Sequence, residues 1–289
     1  MRNFMLVSSF IALGISVCFP SWVEDMIAVV LILTIGIMHG ANDLILLKKS
    51  KGDENTISLK NLFYYIAAVG LIAALFILLP HWALPVFVLF SAYHFGEQHW
   101  EIKLQKGNLL NGLFYIIYGL FIFALLFAAH PEEVQQVIIK MSGLTLTSAF
   151  FDKSLFCLAA LTLVTIAFLA WKKRLKTSWL QELFFTIVFV VIFNTATLLW
   201  AFAVYFVIWH SIPSIKEQIE YLYGGVSKST VTGYLGYAWK YWAAALLGLG
   251  VVLYFFWGDE YLLLAIFFSF LAAITFPHVL VISRMHKYR

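Results

Sequence analysis

The chain has 289 residues, 63% of them hydrophobic and only 12% charged, with a mean hydropathy of +0.91. Soluble domains carry roughly 25% charged residues, so the composition excludes an ordinary soluble domain and points to an all-α integral membrane protein. The net charge of +4 lies in short loops between apolar runs, which is not a nucleic-acid signature, and Cys18 and Cys157 both fall inside apolar runs, which argues against a disulfide framework.

A bilayer core of about 30 Å needs roughly 20 apolar residues per helix. Ten segments qualify: 3–20, 24–47, 62–79, 82–100, 111–129, 154–171, 178–193, 196–215, 239–257 and 261–283. The first superficially resembles a secretory signal, with Arg2 ahead of an apolar core. Val17-Cys18-Phe19-Pro20 offers no small-x-small cleavage pattern, so a retained helix is expected. The run from Leu180 to Ile212 is too long for one span and is divided at Asn194-Thr195, its only polar break. The longest connector, His130 to Lys153, has 24 residues and leaves no room for a soluble domain. Residues 1–289 therefore read as a single transmembrane domain without internal repeats.

Orientation follows from the Lys/Arg bias of short loops. With the N-terminus in the cytoplasm, 17 of the 19 Lys and Arg fall on the cytoplasmic side, among them Lys48, Lys49, Lys51, Lys60, Lys103, Lys106 and Arg289. The other side keeps Lys140 and Lys153, with Glu24-Asp25, Glu132-Glu133 and Asp259-Glu260. Ten spans with both termini cytoplasmic are expected.

Four of the eight histidines fall at one depth. His81 and His130 lie at outer helix ends, His286 in the cytoplasmic tail, and His99 at the inner end of the fourth segment. His39, His94, His210 and His278 lie on the second, fourth, eighth and tenth segments, each six or nine residues ahead of a cytoplasmic Lys or Arg. At about 1.5 Å per helical residue, that puts all four roughly 9–14 Å inside the cytoplasmic boundary. Ionisable groups at such depth usually face a bundle interior and mark a site. Imidazole is the commonest metal ligand, and four of them without cysteine fit an iron with open coordination positions better than a Cys-rich zinc site. Asp43 and Glu97 are placed one turn from His39 and His94 as carboxylates that hold a ring N–H. Glu97 is open to two other readings, a ligand or a solvated residue at the helix end.

Plainer readings exist. An intramembrane histidine also serves as a hydrogen bonder between helices, and buried His and Asp also build proton relays in transporters. Gly36, Gly40, Ser91, Gly96 and Ser211 suit close helix packing. The 28 Phe, 14 Tyr and 10 Trp suit lipid contact and interfacial belts as well as an apolar tunnel. Known metal signatures narrow the choice. His94-Phe95-Gly96-Glu97-Gln98-His99 has one residue too many for H-x-x-E-H, and no H-E-x-x-H is present. The clustered histidine boxes of membrane di-iron desaturases are also missing, so the count supports one mononuclear site.

Four stretches resemble the bacteriorhodopsin-related-protein family (Brp/Blh), the membrane-embedded β-carotene 15,15′-dioxygenases of microbes that use rhodopsins. They are Gly36-Ile37-Met38-His39-Gly40-Ala41-Asn42-Asp43, Ser91-Ala92-Tyr93-His94-Phe95-Gly96-Glu97, Phe206-Val207-Ile208-Trp209-His210-Ser211 and Thr275-Phe276-Pro277-His278. The resemblance implies an Fe(II) enzyme in a bacterial plasma membrane that splits β-carotene with O₂ into two retinals, with a functional link to a microbial rhodopsin. It also implies His39, His94 and His210 as iron ligands. One departure is Ser214, where some members of the family carry a second histidine one turn after the Trp-His pair. His278 takes its place as the expected fourth ligand on the depth argument. Tyr93, Phe95, Tyr205, Trp209 and Phe276, as sequence neighbours of the ligands, are candidates for an apolar tunnel that fixes which double bond meets the metal. Two other classes compete: a transporter that couples protons or a cation through the same His and Asp, and a non-catalytic carotenoid- or retinal-binding partner of a rhodopsin. The absence of Gly/Pro-broken helix pairs leans against the transporter.

Overall fold

The computed structural model describes residues 1–50, 59–105, 107, 109–255 and 260–288, with the backbone alone for 59–61, 260–265 and 288. Lys51, Lys106, Trp257, Asp259 and Arg289, which enter the span and orientation argument, lie outside the described residues. Those described form helices and no β-strand: α1 (Arg2–Cys18), α2 (Ser21–Leu31), α3 (Asp43–Ser50), α4 (Leu59–Leu78), α5 (Pro80–Trp100), α6 (Leu109–Ala129), α7 (Pro131–Ser142), α8 (Ser148–Trp171), α9 (Trp179–Thr195), α10 (Leu198–Ala203), α11 (Ile212–Tyr223), α12 (Lys228–Phe255) and α13 (Glu260–Tyr288). Two π-helical segments, Ile32–Gly36 and Val204–Ser211, continue α2 and join α10 to α11.

Among the described residues, five helices are long and apolar enough to cross a membrane: Leu109–Ala129, Ser148–Trp171, Leu198–Tyr223, Lys228–Phe255 and Ile266–Lys287. Their outward faces are apolar, with Phe156, Leu247 and Tyr254 more than two-thirds exposed. Such faces are stable only against lipid or a partner. Arg2–Cys18, Leu62–Leu78 and Trp179–Thr195 are shorter apolar helices.

Two segments differ from their expected form. The run 24–47 is not one helix: α2 passes into the π segment, and residues 39–42 form turns before α3 begins at Asp43. Gly36, Gly40 and Asn42 are weak helix formers, and the polar side chains of the stretch take partners of their own. The connector 130–153 contains α7. Pro131 fits a first helical position, where its missing N–H costs nothing, and Glu132-Glu133 and Lys140 complement the helix dipole at either end. Gly143, at φ +68°, closes it in the left-handed conformation that favours glycine.

The chain divides into two compact units. One comprises Met1–Ile32, Val88–Gln136 and Thr145–Pro213. In it, α5 and α6 meet at backbone contact. A Cβ built on Gly96 would stand 2.7 Å from Tyr115 Cα, and one on Gly119 only 2.6 Å from Ala92 Cα. Small residues that let helices touch are the usual basis of helix association in lipid, where no hydrophobic force drives it. At the polar break, α9 ends at Thr195 and Thr197 caps α10, its Oγ1 accepting from Trp200 N at 3.2 Å. The Thr197 N–H and hydroxyl donate to Glu24 and Asp25, both at 2.7 Å. Charges read as outer-side loop residues thus fasten the start of α2 to this break.

The second unit comprises Leu33–Phe87, Val137–Leu144 and Ser214–Arg289. Here α13 packs along α4 and α3: Ala272 and Phe76 cluster with Ala83 of α5 and Met141 of α7 at one level, and Leu46 of α3 meets Val281, Ile282 and Met285 at another. The last turns of α11 pack Ile219 against Tyr234 and Ala238 of α12. Trp242 donates to the Leu33 carbonyl at 2.7 Å, holding the entry to the broken stretch.

Candidate metal centre

In the first unit, the α5–α6 contact fixes the turn that carries His94, which lies between Ala92 and Gly96 on the touching helix. His210 sits in the π segment, where Ser211 Oγ donates to the Phe206 carbonyl at 2.8 Å. π turns insert one residue into a helix and re-aim the side chains around them, often at functional sites. His94 and His210 are both buried, with ring centroids 4.6 Å apart at 78°. Aromatic rings surround His210: Phe95 at 4.7 Å and Phe206 stacked at 5.7 Å. Tyr205 reaches Phe95 at 5.4 Å.

The other tunnel candidates have these neighbours. Trp209 donates to Ser9 Oγ at 2.9 Å and packs on Phe185 and Phe189, tying the π segment to α1 and α9. The Tyr93 hydroxyl donates to Glu97 Oε1 at 2.9 Å. In the second unit, Phe276 packs against the cluster of Phe76, Ala83, Met141 and Ala272.

In that unit, His39 occupies the broken stretch. Its Nδ1–H donates to the Gly36 carbonyl. A carbonyl only accepts, so the proton is on Nδ1 and Nε2 carries the lone pair. His278 lies edge-on to His39, with centroids 4.7 Å apart at 89°. Its Nδ1–H donates to Asp43 Oδ1 at 2.7 Å, and Tyr65 donates to Asp43 Oδ2 at 2.9 Å. Asp43, expected behind His39 on α-helical spacing, therefore holds His278. The turns at 39–42 remove the helical register on which that expectation stood, and His39 finds a backbone acceptor instead.

Each unit thus offers a buried pair of imidazoles to a metal ion: His94 and His210 in the first, His39 and His278 in the second. Buried imidazoles without thiolate suit a borderline divalent ion of zinc, copper, iron or nickel. The tautomer fixed on His39 is the one a metal-ligating histidine takes when its other nitrogen is held by the protein.

His99, the further histidine of α5, belongs to a separate polar cluster in the first unit. Its Nε2 lies 2.8 Å from Glu182 Oε2, and Lys103 donates to the same oxygen at 2.9 Å. Thr177 donates to Glu182 Oε1 at 3.0 Å. Burial pushes the Lys103 ammonium below the ordinary lysine range, and the Glu182 carboxylate opposes that shift.

Sequence spacing did not single out Tyr65, Gln218 or Tyr234. Gln218 donates to the His39 carbonyl at 2.9 Å, and Tyr234 donates to Gln218 Oε1 at 2.9 Å. Both lie in helices whose sequences look like ordinary interfacial or lipid-facing segments.

A family model described as beta-carotene 15,15'-dioxygenase matches residues 30–286. No curated protein and no solved structure matches the chain.

Proposed function

The chain belongs to the beta-carotene 15,15'-dioxygenase family, and we propose on that premise that it is a membrane-embedded, Fe(II)-dependent enzyme cleaving the central double bond of β-carotene with O₂ to give two retinals. The observation that carries this reading is the family match over residues 30–286, to which the buried His39, His94 and His210 add side chains of metal-ligating chemistry. These three are assigned as iron ligands, with His278 as the fourth, its tautomer fixed by Asp43. Bound Fe(II) would supply O₂ activation. The reaction balances as one C=C and one O=O bond broken and two C=O bonds formed, one oxygen atom passing to each aldehyde.

The chain's own residues hold and orient. Neutral imidazoles satisfy the metal without adding negative charge. Phe95 and Phe206, packed about His210, offer the polyene an apolar wall beside the metal and exclude water from it. Every double bond along the polyene is chemically similar, so position relative to the metal selects the one cleaved. Ten spans in a bacterial plasma membrane, with both termini cytoplasmic, complete the assignment. Substrate would then enter from lipid, and the retinal would leave into the same bilayer for a rhodopsin.

The test uses protein purified in detergent, stripped of metal and reloaded with Fe(II), then given β-carotene under air or nitrogen. Retinal formed only with Fe(II) and air supports the assignment. Intact β-carotene in the Fe(II)-loaded, aerated sample would overturn it.

A further inference from the structure

The break between α2 and α3 leaves a particular backbone group to be satisfied. In a continuous helix the His39 carbonyl would accept from the Asp43 N–H, four residues on. Asp43 N instead donates to the Gly40 carbonyl at 3.3 Å, and the neighbouring bonds, Gly40 to Ile37 and Ala41 to Met38, are also one residue short of helical. A buried carbonyl released in this way needs another donor.

Gln218 supplies it. Its Nε2 donates to the His39 carbonyl at 2.9 Å and to Ser214 Oγ at 3.1 Å, while its Oε1 accepts from the Tyr234 hydroxyl at 2.9 Å. Asn42 Nδ2 donates to the Tyr234 carbonyl at 3.2 Å, closing a ring of hydrogen bonds onto the same turn. Gln218, Ser214 and Tyr234 are fully buried, and Asn42 is nearly so. Ser214 is the position where a further histidine would stand in the resembling family, and here it supports Gln218 instead.

We infer that Gln218, fixed by Tyr234 and Ser214, is a positioning residue for the metal centre: it holds the helix open at 39–43. The inference rests on the assignment of His39 as a ligand. Without the Gln218 donor, the His39 carbonyl can recapture the Asp43 N–H, and the stretch rewinds towards an α-helix. Rewinding turns His39 about the helix axis and carries Asp43 with it, and Asp43 in turn holds His278. One side chain thereby sets the aim of two histidines through the backbone. Partners that orient metal ligands typically change affinity by 10–100-fold when lost.

The experiment titrates Co(II), whose d–d absorption reports coordination geometry, into metal-free wild type, Gln218→Leu, Tyr234→Phe and His39→Ala, with the thermal stability of each metal-free protein measured in parallel. Gln218→Leu is expected to bind about 10–100-fold more weakly, with an altered Co(II) spectrum even at saturation. A residue that only stabilised the fold would lower the melting temperature and leave that spectrum unchanged. Tyr234→Phe, which keeps the Gln218 donor but releases its far end, should weaken binding severalfold, and it carries the test if Gln218→Leu does not fold. Wild-type affinity and spectrum in Gln218→Leu, or in Tyr234→Phe where that variant stands in, with binding lost in His39→Ala, would overturn the role of Gln218 alone. Wild-type binding in His39→Ala would overturn the ligand assignment beneath it.

Discussion

A single methyl group at the crossing of α5 and α6 should disturb both stability and the metal centre. Gly96→Ala puts a Cβ 2.7 Å from Tyr115 Cα, and Gly119→Ala puts one 2.6 Å from Ala92 Cα. Carbon atoms in contact sit about 3.5–4.0 Å apart, and the carbonyl groups of Tyr115 and Ala92 lie closer still, so each alanine forces the helices to separate locally by at least about 1 Å. The atoms met are backbone, which cannot swing aside as a side chain can. Overpacking of this kind costs about 1–3 kcal/mol. His94 is carried by the same turns of α5, so the separation also shifts its ring. Reversible unfolding in mixed micelles gives the stability of each variant, and Co(II) titration gives the metal affinity. Each alanine should lower stability by about 1–3 kcal/mol. The double variant should cost less than the sum, because helices already parted for one methyl accept the second, a coupling of about 0.5–3 kcal/mol. Two single variants within about 0.5 kcal/mol of wild type would refute the backbone contact.

Tyr65→Phe removes one hydrogen bond to the buried Asp43 carboxylate and should destabilise the metal-free protein by about 1.5–3 kcal/mol, as read by the same unfolding assay. Unchanged stability would show that Asp43 does not depend on Tyr65. Glu182→Leu takes away the carboxylate that Lys103, His99 and Thr177 share. Leaving the partly buried Lys103 ammonium without its partner should cost about 1–3 kcal/mol while Co(II) affinity stays at the wild-type value. A loss of affinity as large as that of Gln218→Leu would join this cluster to the metal centre.

The histidines were legible because imidazole is expensive in lipid: His39, His94, His210 and His278 stood out against their apolar segments, and all four are buried. The helical class was legible for the same compositional reason. What escaped was set by contacts between distant parts of the chain. Asp43 and His278 are 235 residues apart, whereas spacing offers Asp43 only its own neighbours, and so paired it with His39. Gln218 lay beyond the expected end of the eighth segment at residue 215, yet the helix runs on to Tyr223 before Gly224, at φ +78°, ends it. Tyr65 and Tyr234 were hidden among 14 tyrosines that composition assigns equally well to a lipid-facing belt. The break at 39–42 was carried by Gly36, Gly40 and Asn42, residues that also suit close packing in an unbroken helix. The amphipathic α7 was passed over because it is too short and too polar to span a bilayer.

The most direct test of the iron centre is the metal content of the purified, Fe(II)-reconstituted protein and of His39→Ala, His94→Ala and His210→Ala, with retinal formation from β-carotene measured on the same samples. The account predicts about one iron per chain in the wild type, on the reading of a single mononuclear site, and loss of both iron and retinal in each variant. Retained iron and retinal formation in all three variants would contradict it.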